Sequence, residues 1–512
     1  LPTITLFNEQ FLVLDLTDCA AILGHLTVDR NLIIRASATG SELKMQPCSK
    51  ITVKSGVSLE INFTNIHGCE KLWRDIFVEP GGNLTLRGNT ISDAHHAVLV
   101  DPGPSAFHRQ TKLNITRNIF NRNHAGIFIN GTPDAPPINH TIRGNTFTCT
   151  APLFPECDPE PYYLNTSGYI GIATAGVDLL LPQNDFSRIR NGIGGLEANL
   201  TVLNSTFTSL PGAGNTGSPA FDLNISGIGV AAEGGSMEVR NCLFNDLDHA
   251  MHSDNNRVAA LYNRAGTDGV NIYLEAQGAT ALKAESSWAY PLRIKENGII
   301  AQNLNLATSL VIDNHYFVTD ASGNTDMPDE WGVLVENDVM TVLPSGSRVS
   351  NTRIEVTGTT MGGIRASNVE RLGIHYTYGI LQDMNSKQNI IELTDTRKCY
   401  LYGNGVGSYQ AGNPITGFYI GSSQANAYCC NRTEYNNTSL FFTGSCTDTD
   451  LKSNYVGIAE EALICTAGTQ LGEQTDKGNY FADLSGVAEH RGSDEDVRRS
   501  QFKVRNLIPN TE

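Results

Sequence analysis

Residues 84–100 read LTLRGNTISDAHHAVLV and residues 113–129 read LNITRNIFNRNHAGIFI, and the two stretches align without a gap. Leu84 falls on Leu113, Leu86 on Ile115, Asn89 on Asn118, Ile91 on Phe120 and His95 on His124. Val98-Leu99-Val100 falls on Ile127-Phe128-Ile129. In each stretch an apolar–x–apolar run turns two side chains to one face and one to the other, as the two-residue period of a strand requires. A polar turn ending in Asn follows, then another inward apolar residue and a second short strand. The same frame recurs as LEINFTNI (59–66), HTIRGNTF (140–147), LLLPQNDF (179–186), LTVLNSTF (200–207) and MEVRNCLF (237–244). Its closing residues are Ile66, Ile91, Phe120, Phe147, Phe186, Phe207 and Phe244, at spacings of 25, 29, 27, 39, 21 and 37 residues. The shorter spacings are bare coils, and 37 and 39 imply inserted loops.

One such coil cannot bury its own apolar face, whereas stacked coils share a continuous core. Asn89, Asn118 and Asn145 would then form a ladder of side-chain amides along the stack. The frame therefore predicts an all-β, right-handed parallel β-helix with inserted loops. An antiparallel sandwich is the structural alternative; it needs two-residue hairpin turns between strands and leaves the in-phase Asn and His matches to accident. The β-helix is expected over residues 1–484, most regular at 59–250 and irregular and loop-bearing at 251–484. Within the second part, 321–331 and 408–414 read as projecting loops. Residues 485–512 are charged, lack apolar alternation and read as a polar linker or cap leading to a further C-terminal region.

Composition narrows the function. The charged fraction is 17% and glycine numbers 49, which suits turns rather than long surface helices. A net charge of −17 argues against a nucleic-acid partner and against broad attraction to polyanionic glycans. No run of 18 apolar residues is present, so no transmembrane helix is expected. The opening Leu1-Pro2-Thr3 lacks a Met and a signal-peptide pattern, and reads as a mature or truncated product. The eleven cysteines form no paired CxxC zinc motif. Cys149 with Cys157, or one of Cys429 and Cys430 with Cys446, could close loops as disulfides in an oxidising compartment, the alternative being buried small hydrophobes. Twelve Asn-x-Ser/Thr sequons carry little weight, because the repeated turn writes them incidentally.

The N-x-x-F/I coils resemble the right-handed parallel β-helix group, which includes pectate lyases, polygalacturonases, phage tailspikes and many bacterial surface proteins. Within residues 426–480, AYCCNRTEYNNTSLFFTGSC and LGEQTDKGNYF are similar to a segment of large secreted proteins of Bacteroidota. Those are exported by the type IX system through a C-terminal sorting domain, so the resemblance implies that this chain is a fragment or processed form. Neither resemblance fixes an activity. Arg293-Ile294-Lys295 and Asn324-Thr325-Asp326 echo polygalacturonase elements, but in reverse order and without the paired Asp or the Gly-His-Gly element. The pectate-lyase pattern of R-x-P-x-x-R over an acidic Ca²⁺ cluster is absent.

Candidate catalytic residues are Asp93, His95, His96, Arg122, His124, Asp246 and His249, with Asp248, His252 and Asp254 extending the set. His95 matches His124, His96 matches His249 and Asp93 matches Asp246 by repeat position. A His beside an Asp is general-base chemistry, and an Arg neutralises a sugar carboxylate. The bland alternative is that turn positions face solvent and tolerate any polar residue. Tyr162, Tyr163, Trp288, Tyr290 and Trp331 fall in expected loops and could stack on sugar rings or pack inward. Oxygen ligands at Asp326, Asp329 and Glu330, or at Asp448, Asp450 and Asn454, have spacings that suit Ca²⁺, and no other cofactor is indicated. These features point to a secreted or cell-surface, non-catalytic β-helix module of a larger protein: a stalk, adhesion or glycan-binding segment that partners polysaccharide or surface proteins. A polysaccharide lyase or glycoside hydrolase acting in a groove along the helix is the alternative.

Overall fold

The computed structural model describes residues 3–7, 11–16, 20–22, 24–36, 41–101, 110–131, 139–156, 168–210, 227–289, 291–305, 309–319, 331–356, 362–381, 389–408, 415–457, 459–475, 479–481 and 487–503. The chain is a right-handed parallel β-helix of about 15 turns. It divides into two compact units, residues 1–256 and 257–512. The inserted loops expected before Phe186 and Phe244 fall at 157–167 and 211–226, outside the described residues.

In the first unit each coil lays down three strands. Ser58–Asn62, Asn65–Gly68 and Trp73–Val78 make one coil, and Asn83–Arg87, Thr90–Ser92 and Ala94–Val100 the next. The register between coils is the frame read from the sequence. Leu84 pairs with Leu59 and Leu113, Ile91 with Ile66 and Phe120, and Val98 with Ile127. All of these point inward and are buried. At the start of the stack, Thr3–Phe7 pairs antiparallel with Phe11–Leu16 and covers the first sheet's edge.

The amide ladder forms and is fully buried. Asn89 donates through its backbone N–H and its Nδ2 to Asn118 Oδ1, both at 2.9 Å. Asn118 repeats the pattern on Asn145, and Asn145 on Asn184. Each Nδ2 also donates back across the stack, as Asn118 does to Leu86 O at 3.0 Å. Beside the ladder, Phe120, Phe147, Phe186, Phe207 and Phe244 stack face to face at 4.8–5.0 Å. Their rings need room, and glycine in the facing strand supplies it. A Cβ on Gly171 would stand 2.6 Å from the Phe186 ring, and one on Gly192 would stand 2.6 Å from Phe207 and 2.4 Å from Gly229 O.

The second unit repeats the plan with different residues. Ile312, Val349, Ile374, Leu401, Tyr428 and Leu451 follow one another in register and are buried. A second amide ladder runs through Asn404, Asn431, Asn454 and Asn479, with N–H to Oδ1 distances of 3.0–3.1 Å. Past residue 484, Val487–His490 pairs with Ala459–Cys465. A short helix, Asp494–Arg498, is capped by Ser493, and Ser500–Lys503 pairs with Gly472–Thr475.

Three substitutions test this packing. Gly192→Ala is expected to destabilise by about 1–3 kcal/mol, since its methyl has no space. Phe207→Leu in the same chain should recover part of that loss in denaturant unfolding. Asn145→Ala should cost about 2–4 kcal/mol, because it leaves the buried Asn118 backbone N–H and Nδ2 without the acceptor they share. Amide exchange at Asn118 would report that loss locally.

Candidate functional site

Two places on the molecule gather chemistry-bearing side chains, one in each unit. The first surrounds the histidines of Ala94–Val100. Asp93 ends the preceding turn in the left-handed region (φ 63), and Arg122 holds the same place one coil on (φ 54). The Arg122 guanidinium donates to the fully buried Asp93 carboxylate at 2.9 Å and lies 4.9 Å over the Phe154 ring. Burial pushes the Asp93 carboxyl up, against the downward pull of Arg122. The His95 ring stacks on His124 at 5.0 Å, and His124 stacks on Tyr169 at 5.7 Å. His95 and His96 face each other through their Nδ1 atoms at 3.0 Å, and Glu156 stands 3.8 Å from His95 Nε2. Asp75, the coil partner of His96, is buried, which raises its carboxyl.

Burial keeps these imidazoles neutral. The His95 pKa falls to about 4 and that of His124 to about 3, through desolvation first and neighbouring positive charge second. His96 is also held well below the usual range by burial. A base this weak is badly matched to proton abstraction near neutral pH. The other proposed members are elsewhere. His96 and His249 do share one column, but Ala125, Ile170, Asn191 and Ile228 come between them. Five coil steps at ~4.8 Å place them ~24 Å apart, so equal repeat position does not mean proximity here. Asp246 occupies the Asp93 turn position on His249's coil and is equally remote. The sequence reading did not include Tyr169, Asp75 or Glu156; Tyr169 is reached only after an inserted loop, which breaks the alignment.

Other expectations need correction. Cys149, Cys429, Cys430 and Cys446 are free thiols, so neither expected disulfide pairing forms. Trp331 is not in a loop; it opens the strand Trp331–Val342 and is buried, its indole lying over Gly362 with Arg365 at 5.9 Å. Tyr162, Tyr163, Asp326, Asp329 and Glu330 lie outside the described residues. Tyr290 does too. At Asp448 and Asp450, no third carboxylate, His or Cys completes a metal-binding group among the described residues. Asn454 spends its side chain on the amide ladder. Among the described residues no helix is long and apolar enough to cross a membrane.

The second place is a column on one sheet of the second unit. In register, coil by coil, stand Tyr316, Arg353, Tyr378, Gly405, Arg432, Tyr455 and Tyr480. Strand alternation turns this row outward while Ile354 and Val456 on the same strands are buried. Arg353 lies 5.0 Å over the Tyr316 ring, Arg432 lies 5.1 Å over Tyr455, and Tyr455 stacks on Tyr480 at 5.5 Å. The Tyr378 ring packs against Gly405, where a Cβ would come within 2.8 Å, and stays 44% exposed. The Trp288 ring stands near perpendicular to it, with centroids 6.3 Å apart, and fixes its own indole by donating to Asn351 O at 2.5 Å. Two positions along, Glu355 accepts from the Tyr316 hydroxyl at 2.6 Å and pairs with Arg353, while Glu434 pairs with Arg432. Tyr376, Tyr400 and Tyr435 are also exposed. Of this assembly, the sequence reading singled out only Trp288.

Residues 24–154 match the family model described as "Right handed beta helix region", about a quarter of the chain. No curated protein matches the chain. Among solved structures, a double-mutant tailspike protein of E. coli bacteriophage HK620, in complex with a pentasaccharide, is 10% identical, with 88% of this chain and 72% of that chain covered and a TM-score of 0.29. A mutant of the PL6 family alginate lyase AlyGC is 10% identical over 94% of this chain and 97% of that chain, at a TM-score of 0.23. PfbA, a surface adhesin of Streptococcus pneumoniae, is 11% identical over 90% and 85%, at 0.24. None of these likenesses bears on activity.

The neutral histidines make an acid-stability prediction. Their folded pKa values lie below 6.5, so between 6.5 and about 3–4 the unfolded chain binds more protons. Their full contribution holds above that window, and each costs about 1.4 kcal/mol per pH unit as pH falls through it. Asp75 and Asp93 act in the opposite sense, since their raised carboxyls favour the fold as pH falls. Replacing His124→Phe keeps a ring between His95 and Tyr169 but removes one titrating group. Urea midpoints from pH 7 to 4 should fall less steeply in the variant, by one proton's worth of slope. Parallel slopes would contradict the account.

Proposed function

We propose that this chain is a non-catalytic, glycan-binding β-helix module of a secreted or cell-surface protein, and that the tyrosine–arginine column of the second unit is its binding face. The exposed Tyr378 ring, with Trp288 packed near perpendicular to it, is the observation that carries the reading. Sugar rings present apolar C–H faces that pack on aromatic planes, and their hydroxyls suit a border of carboxylates and guanidinium groups. Glu355, Arg353, Arg432 and Glu434 supply that border. The column repeats at the coil spacing, so an extended polysaccharide can follow it over ~29 Å, six steps of ~4.8 Å. A neutral or weakly charged polymer fits best, since the chain carries −17 overall. The likeness of residues 426–480 to secreted proteins of Bacteroidota belongs to the same reading.

The lyase or hydrolase alternative would place chemistry at the histidine cluster. The low basicity of His95 and His124 and the engagement of Asp93 by Arg122 weigh against it.

Titration calorimetry against a panel of neutral and acidic oligosaccharides tests the reading. Tyr378→Ala and Trp288→Ala are each expected to weaken binding about tenfold, near 1.4 kcal/mol, with the circular dichroism of the fold unchanged. Equal affinity in both variants would remove the column from consideration. Release of reducing or unsaturated ends, abolished in His95→Ala with His124→Ala, would replace the binding module with an enzyme.

A further inference from the structure

Cys429 and Cys430 are consecutive free thiols whose sulfurs stand 3.1 Å apart. In a continuous strand two successive side chains point to opposite faces. Here the strand Ala427–Cys429 ends, and Cys430 turns the chain through the left-handed region (φ 58) into Arg432–Glu434. That turn brings both sulfurs to one side. The coil stack fixes it from above and below: Cys430 N–H donates to Lys452 O at 3.0 Å, and Gly403 N–H donates to Cys429 O at 3.1 Å. Cys429 lies in register between Tyr402 and Lys452 and shares a hydrogen bond with Tyr400. Cys430 is exposed. Partial burial and the neighbouring Cys430 raise the Cys429 thiol too, but the pair reaches solvent, whereas Cys242, Cys399 and Cys465 are buried, with thiols pushed up to about 12, 11 and 12. Such thiols furnish little thiolate for exchange.

We propose that Cys429 and Cys430 are an oxidation site, a dithiol that closes to a vicinal disulfide by exchange with a small-molecule disulfide. The exposed Cys430 loses its proton to solvent and its thiolate attacks the oxidant, forming a mixed disulfide and releasing one thiolate. Cys429 then loses its proton and attacks the Cys430 sulfur, forming the Cys429–Cys430 bond and releasing the second thiolate. Two electrons pass from the pair to the oxidant, and two protons leave with them. Consecutive Cα atoms are ~3.8 Å apart, below the ~4.4 Å at which unstrained disulfides begin. The closed bond is therefore strained and readily reduced, which makes it a reversible modification rather than a structural staple.

Incubating the intact, reduced chain with glutathione disulfide and mapping its peptides by mass tests the proposal, independently of any glycan. The peptide holding both residues should lose the mass of two hydrogens, resist alkylation at both sulfurs, and regain both thiols with dithiothreitol. Cys429→Ser should stop at a glutathione adduct on Cys430. A wild-type chain that accumulates the same stable adduct, or keeps both thiols alkylatable, overturns it. Phenylarsine oxide gives a second measurement without a variant, because trivalent arsenic bridges two adjacent thiols. It should protect both cysteines of the reduced wild-type chain at one equivalent, and full alkylation in its presence would also overturn the proposal.

Discussion

The buried asparagine amide is the constraint on which the first unit's regularity depends. Each of Asn89, Asn118 and Asn145 satisfies a turn that would otherwise leave backbone donors and acceptors unpaired in an apolar interior. The amide can do so only if the next coil delivers a side-chain acceptor at the same height, an asparagine at most rungs. Register, coil length and turn conformation are thereby tied together, and the phenylalanine stack and glycine row follow. With the turn fixed, Phe186 and Phe207 must land on the preceding strand at one point, and that point has to be glycine.

This explains why half of the architecture is legible in the sequence and half is not. Between residues 59 and 250 one solution is reused, so Asn89 and Asn118, or Phe207 and Phe244, stand out on alignment. The second unit meets the same demands with varied chemistry. Its closing inward positions include Phe317, Ile354, Val406 and Val456, and a Gly–Phe contact at Gly298 and Phe317 gives way to Gly332 with Ile354. Any apolar residue of suitable volume fills such a site, so the geometric repeat survives while the textual one fades.

The functional residues follow the same division. His95 and His124 were found because they sit in the repeating half, and alignment correctly places them in one column. Alignment carries no information about burial or about the number of coils between two matching positions. The histidines therefore turn out neutral and enclosed, and His249 turns out distant. The tyrosine–arginine column has no textual period: its members recur after 37, 25, 27, 27, 23 and 25 residues, and Tyr is mixed irregularly with Arg and Gly. Only the coil register converts those uneven intervals into an even row. Trp331 shows the converse, since a tryptophan beside a polar, loop-like run is the first residue of a strand and packs on Gly362.

The amide ladder also has a direction. Every rung gives its backbone N–H to the rung after it and receives from the rung before, from Thr64 N–H on Asn89 to Asn184 N–H on Ser205 Oγ. All the side-chain dipoles thus point one way, and each bond polarises the next. A stack built like this is not the same seen from its two ends. One terminus offers donors and the other an acceptor, so a new coil meets a different template depending on where it arrives. The serine at position 205 closes the series with a hydroxyl, which lets the ladder stop inside the stack without leaving an amide unanswered.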